Sequence, residues 1–222
     1  LKHKGLTYFF LDMKSSGIDV KPIKQISGTS NFNEVFFNDV RVPDSQRLGA
    51  EGEGWKVALT TLMNERLAVG DPPGLDFDQI FEATKQFEVE DGLAIKNSEV
   101  RQKMADWYVQ SRGLQYTKYR SMTALSKGQT PGPELSISKL ITASKIQDIS
   151  SYALDLLDMS GAIHNEKNPI LQNLFQSGYF FGPALRIAGG TDEVLRNIIA
   201  ERVLGLPQDE RPDKKVPFNE IP

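Results

Sequence analysis

The chain contains no cysteine. That excludes disulfides, thiol nucleophiles and thiolate metal sites, although it identifies no compartment. Histidine is almost as scarce, with two residues, His3 and His164. Both read as surface residues, and neither a Ser-His-Asp relay nor a His-rich metal centre is expected. No apolar run approaches the roughly 20 residues that a membrane span requires. Neither sign of charge dominates: 26 basic residues face 29 acidic ones, for a net charge of −3. With a pI near 5.5 and its basic residues scattered apart from Lys214–Lys215, the chain is not expected to bind nucleic acid. A lysine-bearing phosphate loop is missing, and Gly49-x-x-Gly52-x-Gly54 is not a dinucleotide fingerprint but a flexible turn before a helix. There is no internal repeat. The chain begins Leu1-Lys2-His3-Lys4 with neither Met nor a signal-like segment, so it reads as a fragment whose targeting cannot be judged.

What is present is an ordinary globular composition, 39% hydrophobic and 25% charged over 222 residues. That length allows one or two domains with a sizeable core. Residues 1–48 read as β. Leu6–Met13 is an aromatic run, Ile18–Ile26 alternates around an edge-marking Pro22, and Phe32–Val42 alternates again. Three strands are too few to close a two-faced sheet with so much aromatic content, which places the rest of that sheet upstream. From Gly54 the pattern turns helical. Helices are expected over Gly54–Val69, Phe77–Phe87, Glu99–Ser126, Glu134–Met159, Ile170–Gln176 and Asp192–Val203. Glu88–Asn97 reads as a polar, irregular connection. Inward positions are expected at Val100, Met104 and Trp107, continuing to Met122 and Leu125, on one helix. On the next they are expected at Ile137, Leu140, Ile141, Ser144 and Leu156. The tail after Pro207 is charged and extended. The expected fold class is α+β: the back part of a β-sandwich-like middle domain (1–48), an antiparallel four-helix-type bundle (49–206) and a tail (207–222).

Two features carry candidate chemistry. In Gly54–Val69, Glu65 sits on a stripe with Ala58, Thr61 and Ala68, while Leu59, Leu62 and Met63 on the other side read as core. A carboxylate on a stripe of small residues leaves room for a ligand, though a solvated helix face explains the same pattern. Gly189-Gly190-Thr191 opens the last helix with Thr191 as N-cap and with Asp192 and Glu193 at the positive end of the dipole. Two glycines allow close backbone approach to an anion or a carbonyl, or simply start a helix.

Five segments in order resemble the flavin-dependent acyl-CoA dehydrogenases. They are T-Y-F-F-L-D-M-K-S-S-G-I-D-V-K-P-I at 7–23, F-N-E-V-F-F-N-D-V-R-V-P at 32–43, G-E-G-W at 52–55, N-E-R at 64–66, and A-G-G-T-D-E-V-L-R-N-I-I-A-E-R-V-L-G at 188–205. The resemblance implies an FAD enzyme that removes the α-proton of an acyl-CoA thioester with a glutamate while the β-hydrogen leaves as hydride to flavin N5. Many members place the base just before the G-T of the last motif, where this chain has Gly189. A minority place it on the helix after the β domain, where this chain has Glu65. The resemblance therefore implies Glu65 as base and Gly189 as a backbone N–H donor to the thioester oxygen. It also implies Arg66 beside the substrate, with a salt bridge in the bundle as the other reading, and Thr191 and Glu193 beside FAD, with helix capping as theirs.

Two family elements are missing. Residues 85–101 hold no R-x-x-F-G, and D-L-L-D-M-S-G at 155–161 keeps only the last glycine of Q-x-x-G-G-x-G. Both serve a neighbour's FAD in homotetrameric relatives. Their joint loss implies a paralogous partner subunit in an α2β2 assembly resembling the heteromeric bacterial subgroup, with a homotetramer as the alternative. Electron-transfer flavoprotein is the implied electron acceptor, fatty acid or steroid side-chain degradation the implied context, and the bacterial cytoplasm the implied location. The other readings are a non-catalytic structural partner subunit and a relative repurposed for another ligand, as in the alkylation-response branch.

Overall fold

The computed structural model describes residues 3–68, 75–129, 135–164, 170–214 and 216–221, excepting the side chains of 63–68, 135, 170, 214 and 218. The chain forms two compact units, one of residues 1–71 with 209–222 and one of residues 72–208.

In the first unit, β1 (Tyr8–Phe9) pairs antiparallel with β4 (Arg47–Leu48), and β2 (Ile18–Ile23) pairs antiparallel with β3 (Phe32–Phe37) from Ile18↔Phe37 to Ile23↔Phe32. The strands are shorter than their alternating patterns suggest. Residues 24–31 close on themselves instead, with Gln25 accepting the Asn31 N–H through its side chain and donating its own N–H to Thr29 O. Phe36 and Phe37 point to opposite faces, as successive strand residues must, and both are exposed. Helix α1 (Gly54–Ala68) starts on β1, where the Gly54 N–H donates to Leu6 O at 2.7 Å and the Gly52 N–H to Thr7 Oγ1 at 3.2 Å. A Cβ at Gly54 would collide with the Leu6–Thr7 backbone. This docking groups α1 with the strands, so the contact boundary at 71/72 lies beyond the 48/49 boundary expected from composition. Leu59 and Leu62, expected in the core, are 44% and 47% exposed. The Met63 side chain lies outside the described residues.

The second unit holds the core. Helix α2 (Phe77–Thr84) is launched by a capping box, in which Asp76 accepts the Phe77 N–H and Gln79 accepts the Asp76 N–H. The expected irregular connection contains a tight hairpin, β5 (Glu88–Val89) with β6 (Gly92–Leu93), because Gly92 adopts φ +107°. Helix α3 (Ser98–Ser126) is capped by Asn97 and buries Val100, Met104 and Trp107 as expected. Its last turns do not follow, since Met122 and Leu125 are exposed.

Helix α4 (Leu135–Leu156) is the hub and packs against α2, α3, α5 and α6. The expected inward residues Ile137, Leu140, Ile141, Ser144 and Leu156 are only partly buried; Ala143, Ile146, Ile149, Ser150 and Ala153 are buried. A helix covered from several sides sends its small residues to the closest contacts and has no single apolar stripe. Helix α5 (Ile170–Leu185) runs nine residues past its expected end at Gln176 and contains Pro183. Gly178 and Gly182 explain the extension. They act as packing notches and not as breaks, since a Cβ at Gly178 would strike Ser150 Oγ and one at Gly182 would crowd Gln147. Helix α6 (Asp192–Ile198) passes into a π-helical turn over Ile199–Val203. Among the described residues no helix is long and apolar enough to cross a membrane.

One buried cation ties three of these helices together. Lys145 of α4, 1% exposed at its side chain, donates to Asp76 Oδ1 at 2.6 Å and to Ser111 Oγ of α3 at 2.8 Å. Burial raises the Asp76 carboxyl, but hydrogen bonds from Lys145, Ser111 and the Phe77 N–H outweigh it and hold the group below its ordinary value. Its stabilisation is therefore complete above the unfolded carboxyl's pKa of about 3.9 and is lost as pH falls through the lower folded value. Asp76→Ala removes both the cap and the partner of a buried ammonium. It is expected to lower stability at pH 7 by about 2 kcal/mol in urea unfolding followed by tryptophan fluorescence. The variant should also lose part of the acid sensitivity of the wild type, and an unchanged midpoint would show that the cluster contributes nothing.

Candidate functional site

The second unit presents a short loop between α5 and α6 whose centre, Gly189-Gly190, offers backbone groups alone. Its ends are clamped. Arg186 closes α5, and its carbonyl accepts the Asp192 N–H at 3.2 Å while its Nε donates to Asp192 Oδ2 at 2.6 Å. The same guanidinium reaches α4, donating to Gln147 Oε1 at 3.2 Å. Between the clamped ends, Gly189 and Gly190 adopt φ +67° and +106°, values that side-chain-bearing residues rarely take. A Cβ at Gly189 would meet nothing within 4 Å, so the space beside it is open. Lys139 of α4 donates to Gly190 O at 2.6 Å. Among the described residues the N–H groups of Gly189, Gly190 and Thr191 meet no acceptor.

An open cleft of about 280 Å³ adjoins the loop, lined by Gln147, Pro183, Arg186, Ile187, Thr191 and the Asp192–Glu193 pair. Asp192 is 2% exposed, and its Oδ1 has no partner among the described residues. Burial is the main influence pulling the Lys139 ammonium below its ordinary pKa; Asp192 opposes the shift and Arg186 reinforces it. Glu193 is lowered, first by its own backbone N–H and then by the Thr191 hydroxyl, so it is an exposed carboxylate poised to accept. Held below its ordinary value, the Glu193 carboxyl is not tuned toward the range of a general base. The loop can hold and polarise a carbonyl oxygen; it contains no proton acceptor matched to carbon acid chemistry.

The candidate residues are distributed as follows. Gly189, Thr191 and Glu193 fall together in this loop and its helix. Thr191 is the N-cap of α6, its Oγ1 accepting the Val194 N–H at 3.3 Å. Asp192 is more than a complement to the helix dipole, being the buried partner of Arg186. Glu65 and Arg66 lie in the last turns of α1, in the first unit, and their side chains are outside the described residues. Sequence reasoning passed over Lys139, Gln147 and Arg186. The one available signal was a lysine among the apolar positions Ile137, Leu140 and Ile141. His3, stacked on Trp55 at 4.3 Å, and His164, bonded to Gln176 at 3.0 Å, are both exposed.

Residues 52–204 match the family model described as the acyl-CoA dehydrogenase C-terminal domain. Over 93% of its length the chain is 32% identical to acyl-CoA dehydrogenase FadE34 of Mycobacterium tuberculosis, of which it spans 27%. It is 33% identical over 94% of its length to acyl-CoA dehydrogenase IpdE1 of Mycolicibacterium smegmatis, spanning 51% of that protein. The ChsE4-ChsE5 complex of Mycobacterium tuberculosis contains a chain with the same fold. Its TM-score is 0.75 at 23% identity, over 94% of this chain and 55% of that one. The chain thus spans about half, or less, of the length of these relatives. It belongs to the acyl-CoA dehydrogenase family, a family of FAD-dependent oxidoreductases, and carries that family's C-terminal helical domain.

Proposed function

We propose that the full-length protein catalyses α,β-dehydrogenation of an acyl-CoA thioester, with its base on α1 and its carbonyl-binding donors on the double-glycine loop. The observation that carries this reading is the loop itself: three N–H groups that meet no acceptor among the described residues, open space beside Gly189, and a glycine in a position where many family members carry the base. In this assignment residues 1–48 are the back of a middle β domain, 49–206 the helical domain and 207–222 a tail.

The residues present fit one edge of a flavin nucleotide, since Thr191 and Glu193 border an open cleft and no Cβ stands at Gly189. Bound there, FAD supplies the acceptor for the β-hydride. This chain's own residues do the rest. Glu65 takes the α-proton, and an apolar acyl tail filling the site would exclude water from the transfer. The Gly189 N–H stabilises the negative charge that builds on the thioester oxygen, a role that needs no side chain. Arg66 orients the acyl-CoA, and Thr191 and Glu193 hold the cofactor edge. An electron-transfer flavoprotein would be the electron acceptor.

A paralogous partner subunit follows from the two missing elements. The turn over Asp158–Ala162 has its carbonyls engaged internally: Gln172 donates to Ser160 O at 2.6 Å, and Gln176 donates to Gly161 O at 3.0 Å and Ile163 O at 2.7 Å. A turn tied inward in this way is a poor ligand for a neighbour's cofactor. We assign the full-length protein to an α2β2 assembly in which the partner completes the FAD site. Native mass spectrometry of the co-expressed pair should show two of each chain, and a homotetramer with four bound FAD would contradict the assignment.

The activity is tested by anaerobic flavin bleaching of that co-expressed complex with butyryl-, octanoyl-, isobutyryl- and sterol-side-chain acyl-CoA. Wild type should be bleached by at least one thioester, and Glu65→Gln should keep its flavin while bleaching slows by about 10³-fold or more. Unchanged bleaching in Glu65→Gln would place the chemistry in the partner and make this chain a structural subunit.

A further inference from the structure

Glycine pairs are poor at holding a geometry. With no Cβ, the peptide between Gly190 and Thr191 can rotate between orientations that differ in which side its N–H faces, and few contacts oppose the change. A loop that relies on backbone N–H groups as donors must solve this problem, because a donor aimed wrongly contributes nothing to a developing negative charge. The clamp formed by Arg186 and Asp192 fixes the ends of the loop and leaves its middle peptides free. The contact that reaches the middle comes from another helix, where Lys139 Nζ donates to Gly190 O at 2.6 Å.

That contact has a defined orientational effect. With the Gly190 carbonyl bound to an ammonium, the N–H of the same peptide, which belongs to Thr191, points the opposite way. Flipping the peptide would turn an N–H toward the ammonium and strand a partly desolvated cation. Lys139 is also held near Asp192 and Arg186, whose charges act on it in opposite senses, so the cation belongs to the same network as the clamp.

We propose that Lys139 is a positioning residue for acyl-CoA dehydrogenation, fixing the Gly190–Thr191 peptide and through it the backbone turn that aims the adjoining Gly189 N–H at the thioester oxygen. This role rests on the function proposed above. It acts through the backbone and touches no substrate.

The test uses the full-length, FAD-loaded complex as wild type, Lys139→Met and Lys139→Arg. The probe is 4-(dimethylamino)cinnamoyl-CoA, a push–pull chromophore whose absorption moves to longer wavelength as its thioester oxygen accepts hydrogen bonds. Lys139→Met should keep its flavin and its thermal midpoint while losing at least about half of the bound-probe shift. Its kcat should fall about tenfold or more, with KM changing less than about threefold. Lys139→Arg, which retains a donor, should restore most of the shift. A full red shift and wild-type kcat in Lys139→Met would overturn the role. So would loss of flavin and fold in that variant, because Lys139 would then be a structural staple. If wild type neither shifts the probe nor is bleached by any acyl-CoA, the parent reading itself falls, and it falls before any change at Lys139.

Discussion

The ion pair between Arg186 and Asp192 is the constraint on which the candidate site depends. It joins the end of α5 to the start of α6 across a loop whose two central residues have no side chains to hold them. Asp192 is almost fully buried, so its charge needs a partner, and without the half-exposed Arg186 it would stand uncompensated. That requirement makes the loop short and closed. With the ends tied to each other, the N–H groups of Gly189, Gly190 and Thr191 are left without an acceptor among the described residues.

The clamp is itself anchored by the packing of α4 on α5. Gly182 lets α5 come close enough to crowd Gln147, and the Gln147 side chain then receives the Arg186 guanidinium. Gly178 makes the same close approach one turn earlier, at Ser150. From the other side of the bundle, Lys145 ties α4 to Asp76 and Ser111. The hub helix is therefore held at two levels by polar contacts, the buried one at Lys145 and an exposed one at Gln147, and the loop inherits its position from it. This is how a core of ordinary composition supports a loop made almost entirely of backbone.

The sequence announced these parts unequally. Thr191 as a cap and the stripe Val100–Met104–Trp107 were legible, because caps and helical periodicity are local signals. Lys139 and Arg186 were not, because their partners lie 51 and 6 residues away and neither spacing repeats along a helix face. Glycine misled in both directions. The helix expected to end at Gln176 runs on through Gly178 and Gly182, which are packing notches inside it, while Gly92 sat unnoticed at the turn of a hairpin. The exposure of Leu59 and Leu62 could not be read from their spacing either, since a spacing does not say whether anything stands opposite. The split between a base on α1 and a vacancy at Gly189 came from resemblance alone; periodicity by itself favoured a solvated face for Glu65.

That split is the central claim, and it separates proton removal from carbonyl polarisation onto different parts of the chain. The most direct measurement is exchange of the α-hydrogen of octanoyl-CoA with deuterated solvent, followed by mass spectrometry under anaerobic conditions, with whichever thioester bleaches fastest as a second probe. Exchange reads the base by itself, without hydride transfer. Wild-type complex should incorporate deuterium at the α-carbon, and Glu65→Gln complex, with its flavin retained, should incorporate none above background. Exchange at the wild-type rate in Glu65→Gln would contradict the claim and place the base elsewhere.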